Sequence, residues 1–227
     1  MTDNNANEIM EKLDLWVSKR GNGQYIAPDS KPSIDYGITE EWGIQQVKKE
    51  IDELVNLLIQ KKFSGEILEI GLGYYGSTHY LWRQIFSHVV TIEKSHDRIR
   101  VFGENIKEEY GKWVLNNGSS SFLIGLSNEP STIKKVYDAV SGLVDVLFID
   151  GDHSYEGVLA DWLLYHSLVK PGGIVVFHDT ALSIPDSFYG VPKLISQLKE
   201  GKLDGKPKKI VDIIHSDNQG ISYYEND

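Results

Sequence analysis

The 227-residue chain contains no cysteine. Disulfides, thiolate nucleophiles and thiolate-held metals are therefore excluded, and any metal must be bound by oxygen or imidazole. No apolar run approaches the roughly 18 residues that would nominate a membrane span. Met1–Glu11 is polar and acidic, without the basic start and apolar stretch of a secretory signal. Basic residues number 23 against 33 acidic ones, a formal charge of -10. That balance argues against broad contact with nucleic acid or an anionic membrane. A cytoplasmic protein with neither as a partner is the default expectation. At this length one large domain with short additions can bury about 70–75% of its unfolded surface.

What is present is an alternation of short apolar runs with helical patterns. Ile9, Leu13 and Val17 predict a short helix after a frayed tail at residues 1–8. Residues 18–39, with Gly21, Gly23, Pro28, Pro32 and Gly37, predict an irregular arm whose aromatics pack onto the main body. Ile44, Val47, Ile51, Leu54, Val55 and Leu58 predict an amphipathic helix over 40–61, acidic at its start and basic at its end. Strands are predicted at 67–70, 89–93, near Trp113–Leu115, and at 144–149, 174–177, 210–215 and 220–224. Helices are expected between them, with Ser154 as an N-cap and Lys170-Pro171-Gly172-Gly173 ending one helix before the fifth strand. A βα alternation ending in a hairpin predicts an α/β fold: a mostly parallel doubly wound sheet with a late antiparallel strand.

Two strand ends carry the chemistry. Phe148-Ile149-Asp150-Gly151-Asp152-His153 stops an apolar run at a carboxylate, with an imidazole three residues on, and the run from Gly173 to Phe177 ends at His178-Asp179. Open α/β sheets bind ligands along this edge. Two hard carboxylates and an imidazole there point to a divalent cation and a general base. A third strand end releases Glu69-Ile70-Gly71-Leu72-Gly73 before a helix, and Glu93 ends the next strand 20 residues after Gly73. Gly71 and Gly73 would let the backbone approach a ligand, and Glu93 could accept from ribose hydroxyls. Glu69 would repel a pyrophosphate but could anchor an ammonium, which favours a methionine-like tail over a dinucleotide. Tyr74 and Tyr75 beside this loop are candidates for an aromatic wall with Tyr36 and Trp42. The loop 180–190, with Pro185, Phe188 and Tyr189, is placed to cover a substrate.

With these residues assembled, the chain from Glu66 to Tyr224 resembles the class I S-adenosylmethionine-dependent methyltransferases. It looks most like their metal-assisted O-methyltransferase branch, which includes macrolide-sugar methyltransferases and cephalosporin hydroxylase-like proteins. The resemblance implies a Rossmann-like fold with a seven-stranded sheet and helices on both faces. It implies a cofactor site at Glu69, Gly71, Gly73, Tyr74, Glu93, Ser119 and Asp150, with the Asn117–Ser120 segment near adenine. It further implies a divalent metal, Mg2+ in the family, at Asp150, Asp179 and His178, with His153 as the catalytic base. His178 stands where the family has an oxygen ligand. The expected reaction is methyl transfer to a hydroxyl of a small molecule, a sugar or glycosylated natural product first. Residues 1–60 form an N-terminal arm and helices that could cover the substrate or a second copy in a homo-oligomer, and 61–227 the methyltransferase domain. An NAD-dependent oxidoreductase and a noncatalytic ligand- or protein-binding domain of the same fold are the alternatives.

Overall fold

Apolar runs flanked by glycine and polar turns give the strands that organise the chain. The computed structural model describes residues 6–29, 41–110, 119–181, 189–217 and 219–227. Seven strands form one sheet: β1 (Glu66–Ile70), β2 (His88–Glu93), β3 (Ser119–Ile124), β4 (Val144–Ile149), β5 (Val169–His178), β6 (Val211–Ile213) and β7 (Ile221–Glu225). Their spatial order is β3-β2-β1-β4-β5-β7-β6. Strands β1 to β5 pair in parallel, and β7 runs antiparallel to both β5 and β6. This is the predicted mostly parallel sheet with its late antiparallel strand.

The pleat sends alternate residues to two cores. Ile67, Val89, Val146, Phe148, Ile174 and Val176 share an apolar cluster with helices α1 (Ala6–Val17), α2 (Lys48–Gln60), α3 (Ser77–Ile85) and α4 (His96–Tyr110). Leu68, Ile70, Val90, Leu147, Ile149, Val175 and Phe177 face α5 (Pro130–Ala139), α6 (Tyr155–Tyr165) and α7 (Val191–Lys199). Helices therefore cover both faces, and near-continuous apolar strands such as Val144–Ile149 are fully buried. No helix among the described residues is long and apolar enough to cross a membrane.

Three local expectations are corrected. The third strand is Ser119–Ile124, whereas Trp113–Leu115 lie outside the described residues. Its serines carry no apolar signal, and they are held in part by histidines: Ser120 Oγ pairs with His79 Nε2 at 2.9 Å and Ser121 Oγ with His88 Nε2 at 2.9 Å. The helix predicted over 40–61 starts only at Lys48; Glu50 gives its first turn the expected acidic residue, but its last turn holds no basic one. Ile44 and Val47 are buried all the same, from an extended segment that bridges to Tyr25. Strand β5 begins at Val169, because Pro171-Gly172-Gly173 forms an irregularity inside the strand rather than a turn ahead of it. Gly173 is needed there: a Cβ would lie 2.7 Å from the Asp145 carbonyl oxygen.

Candidate active site

Parallel pairing brings the C-terminal ends of β1, β2, β4 and β5 to one edge. At the end of β1, Gly71 (φ 95°) passes so close to β4 that a Cβ would lie 2.0 Å from the Asp150 carbonyl oxygen. Gly73 (φ 67°) has nothing within 4 Å of its missing Cβ, so the loop is open on the ligand side. The crevice over this loop is lined by Trp42, Gln46, Gly73, Tyr74, Tyr75 and Asp150 among others. Tyr74 and Tyr75 meet edge-to-face with centroids 4.7 Å apart. Tyr36, proposed for the same wall, lies outside the described residues.

Glu93 braces the loop from below. Its Oε2 accepts from the Leu72 backbone N–H (3.1 Å) and its Oε1 from that of Ser95 (2.7 Å), with Arg98 Nη1 3.3 Å from Oε2. Glu69, expected to face an ammonium, is instead 0% exposed. Trp82 Nε1–H donates to its Oε1 (2.9 Å) and the Thr91 hydroxyl to its Oε2 (2.6 Å), so both oxygens are used inside the core. Thr91 spends its proton on Glu69, so His79 Nδ1, 2.7 Å from Thr91 Oγ1, must be the N–H tautomer that donates to it. Burial lowers the His79 pKa and keeps that ring neutral.

Ser119 is likewise misplaced by the sequence reading. It pairs with His88 at the start of β2, whereas Ile124 pairs with Glu93. Ser119 therefore begins β3 at the far edge of the sheet, one strand length from the site. The loop that does reach the ligand edge starts at Gly125, whose N–H donates to the Glu93 carbonyl (3.1 Å). Asn117 and Gly118 lie outside the described residues.

The acidic strand ends converge as expected. Ligand atoms of Asp150, His153 and Asp179 lie within 4.8 Å of one another. His153 Nε2 is 3.0 Å from Asp179 Oδ2 and 3.4 Å from Asp150 Oδ1. His178, 3% exposed, lies against the same pair, with Nδ1 3.3 Å from an oxygen of each carboxylate. Among the described residues neither His178 nitrogen makes a well-aligned hydrogen bond, so the contact is one of charge. Burial opposes charge on both rings, yet the facing carboxylates prevail: the His153 pKa is raised and that of His178 raised well above its ordinary value. Asp150 is pushed the other way. Burial would raise it, but the charge of His178 and contacts with both imidazoles bring it well below the usual carboxylate range.

The backbone shows the same tension. Asp179 adopts φ 59°, left-handed for a non-glycine residue, a conformation tolerated where surrounding structure enforces it. His153 is fixed from two sides. Its ring stacks on Tyr189 at 5.2 Å and its carbonyl accepts from Gly190 N–H (2.7 Å). Ser154 caps α6 as predicted, accepting from Gly157 N–H (3.1 Å), and Asp152 Oδ1 accepts from Ser154 N–H (2.9 Å). Pro185 and Phe188 of the covering loop lie outside the described residues.

Two carboxylates and an imidazole at this spacing suit a divalent cation, and His153 joins that set more directly than His178. The open Gly73 cradle beside it suits an extended small cofactor. Sequence reasoning missed Gln46, whose Nε2 donates to Asp150 Oδ2 (3.0 Å), and Asp161, buried on α6 beneath Gly151. Neither sits at a strand end, so no local pattern marks them. Placing β3 by its pairing would have brought the Gly125 loop into view.

A family model described as a methyltransferase domain matches residues 17–180. The chain belongs to the methyltransferase domain family. The match separates it from the dehydrogenases that the glycine loop and Glu93 alone would have allowed. The uncharacterized protein R132 of Acanthamoeba polyphaga mimivirus is 33% identical over 101 residues, 44% of this chain and 45% of that protein. The chain thus matches less than half the length of that relative. Among solved structures, the Bacillus cereus O-methyltransferase in complex with SAH superposes with a TM-score of 0.57 at 16% identity, covering 97% of this chain and 90% of that one. TomG of Streptomyces achromogenes, an O-methyltransferase in complex with SAM, gives 0.53 at 17% identity over 77% and 79%. The methyltransferase fold is common to this chain and both solved structures.

Proposed function

We propose that this methyltransferase moves the methyl group of S-adenosylmethionine to a hydroxyl of a small molecule with divalent-metal assistance. The observation that carries the proposal is the convergence of Asp150, His153 and Asp179 beside the open glycine loop. Two structural neighbours captured with SAH and SAM support the choice of donor. A sugar or glycosylated natural product is the leading acceptor, on the resemblance of the strand-end residues to metal-assisted sugar O-methyltransferases.

Asp150 and Asp179 would hold the cation through oxygen, with His178 behind them and His153 at their edge, its lone pair left for the acceptor's proton. A divalent ion there supplies positive charge that makes a nearby hydroxyl easier to deprotonate. The sulfonium donor already carries an activated leaving group, so the protein chiefly aligns acceptor oxygen, methyl carbon and sulfur. His178 and His153 face the two carboxylates and offset their charge. His153 faces both carboxylates and stacks on Tyr189, and it is the imidazole through which the acceptor's proton leaves. The Gly71–Gly73 backbone and the tyrosine pair shape the donor crevice.

Radiolabelled methyl transfer from S-adenosylmethionine to a panel of sugar, phenol and polyol acceptors tests this directly. Transfer that needs Mg2+ or Mn2+ and stops on chelation is the expected result. Transfer indifferent to chelator would remove the metal, and binding of NAD in preference to S-adenosylmethionine would remove the donor.

A further inference from the structure

Glu69 cannot anchor the donor's amino-acid tail, because both its oxygens are hydrogen-bonded in the core. Glu93 is 2% exposed and both its oxygens accept from backbone N–H groups. The crevice nevertheless contains a buried acceptor with no partner among the described residues. Gln46 lines it at 2% exposure, and its Oε1 makes no hydrogen bond while its Nε2 donates to Asp150 Oδ2 at 3.0 Å. The orientation of this amide is chemically fixed. The amide NH2 donates to a carboxylate oxygen, Asp150 Oδ2, so the carbonyl points elsewhere. A buried carbonyl left unmatched costs about 1–3 kcal/mol, so the site is built to be completed by a donor.

The segment bearing Gln46 is held rigidly. Trp16 Nε1–H donates to Ser77 Oγ (3.0 Å), whose hydroxyl donates to the Gly43 carbonyl (2.6 Å). Gly43 N–H donates to the Gln24 carbonyl (3.0 Å), and a Cβ at Gly43 would lie 2.7 Å from the Val17 carbonyl oxygen. Helix α1, helix α3 and the 41–47 segment thus lock the amide against the glycine loop, next to a carboxylate. A cationic donor fits this pairing better than a neutral hydroxyl.

Resting on the methyl-donor reading above, we infer that Gln46 is a cofactor-binding residue whose Oε1 accepts from the α-ammonium of the S-adenosylmethionine tail while its amide N–H holds Asp150 in place. One side chain from the N-terminal segment would then tie the donor's tail to the metal carboxylate. The test is calorimetric binding of two probes to wild type, Gln46→Leu and Gln46→Met. S-adenosylhomocysteine has the ammonium; 5′-methylthioadenosine lacks the amino-acid tail and also reports whether each variant is folded. The expected result is a loss of about 10- to 100-fold for S-adenosylhomocysteine in both variants, with 5′-methylthioadenosine changed less than about twofold. Equal losses for the two probes, or no loss for either, overturn the inference. An unchanged S-adenosylhomocysteine affinity with a raised acceptor KM also overturns it, assigning Oε1 to the acceptor. A wild type that binds neither probe instead removes the donor reading itself.

Discussion

Two clusters of histidine and carboxylate occupy the same sheet and reach opposite states. In the core, Glu69, Thr91, His79, Trp82 and Ser120 form a closed network in which each donor meets an acceptor. The His79 pKa is lowered, chiefly by burial, and the ring stays neutral. At the strand ends, Asp150, Asp179, His153 and His178 share charge with few aligned hydrogen bonds, and both imidazoles are pushed toward the charged form. A satisfied network stabilises a fold and does little else. A cluster that leaves charge and lone pairs unmatched has capacity for a ligand.

The largest expected break in this contrast is at the edge. Asp150→Asn and Asp179→Asn should each lower methyl transfer at least about 100-fold, measured as initial rates. Each also removes a charge facing the buried His178, so melting temperatures should fall, while the rate loss persists at temperatures where the variants remain folded. In the core a loss of stability without one of binding is expected. Glu69→Leu leaves the Trp82 N–H and Thr91 hydroxyl without an acceptor and should cost about 2–5 kcal/mol in denaturant unfolding, with S-adenosylhomocysteine affinity within about twofold of wild type.

Asp161 sharpens the comparison as a buried carboxylate with no facing cation among the described residues. Burial raises its pKa to about 6 from 3.8, against the opposing pull of Ser127. Between these two values the folded state holds a proton that the unfolded state has released, so stability falls as pH rises through this window and is flat above it. Asp161→Asn should remove that slope and stabilise the protein at neutral pH by about 1–3 kcal/mol, read from urea midpoints at pH 4 to 7. The smallest effect is expected at Ser154→Ala, which removes the α6 cap beside His153: a loss of about 1 kcal/mol by thermal melting, with a modest fall in rate.

Legibility in the sequence followed the range of the interactions. Strand β4 and helices α3 and α4 were readable because an apolar run or a 3.6-residue period is a local property. Asp150 and Asp179 were readable because a carboxylate closing such a run must fall on the ligand edge of a parallel sheet. Strand β3 was not, since its serines are matched by histidines from a helix and from the neighbouring strand, and that error carried Ser119 to the wrong edge. Glu69 was misread because the alternation that buries it also turns it toward Trp82, a contact made only once α3 docks. Gln46 reaches Asp150 across 104 positions of chain and leaves no local trace.

The near-contact between Gly71 and the Asp150 carbonyl, 2.0 Å from a Cβ that is not there, makes the glycine a spacer between two strand tips. Adding even a methyl group would prise β1 from β4 at the point where one carries the glycine loop and the other Asp150. The distance between the two half-sites is set by the width of a bare backbone. Neither half can drift without the other, so a substitution in the loop is also felt at the carboxylate cluster.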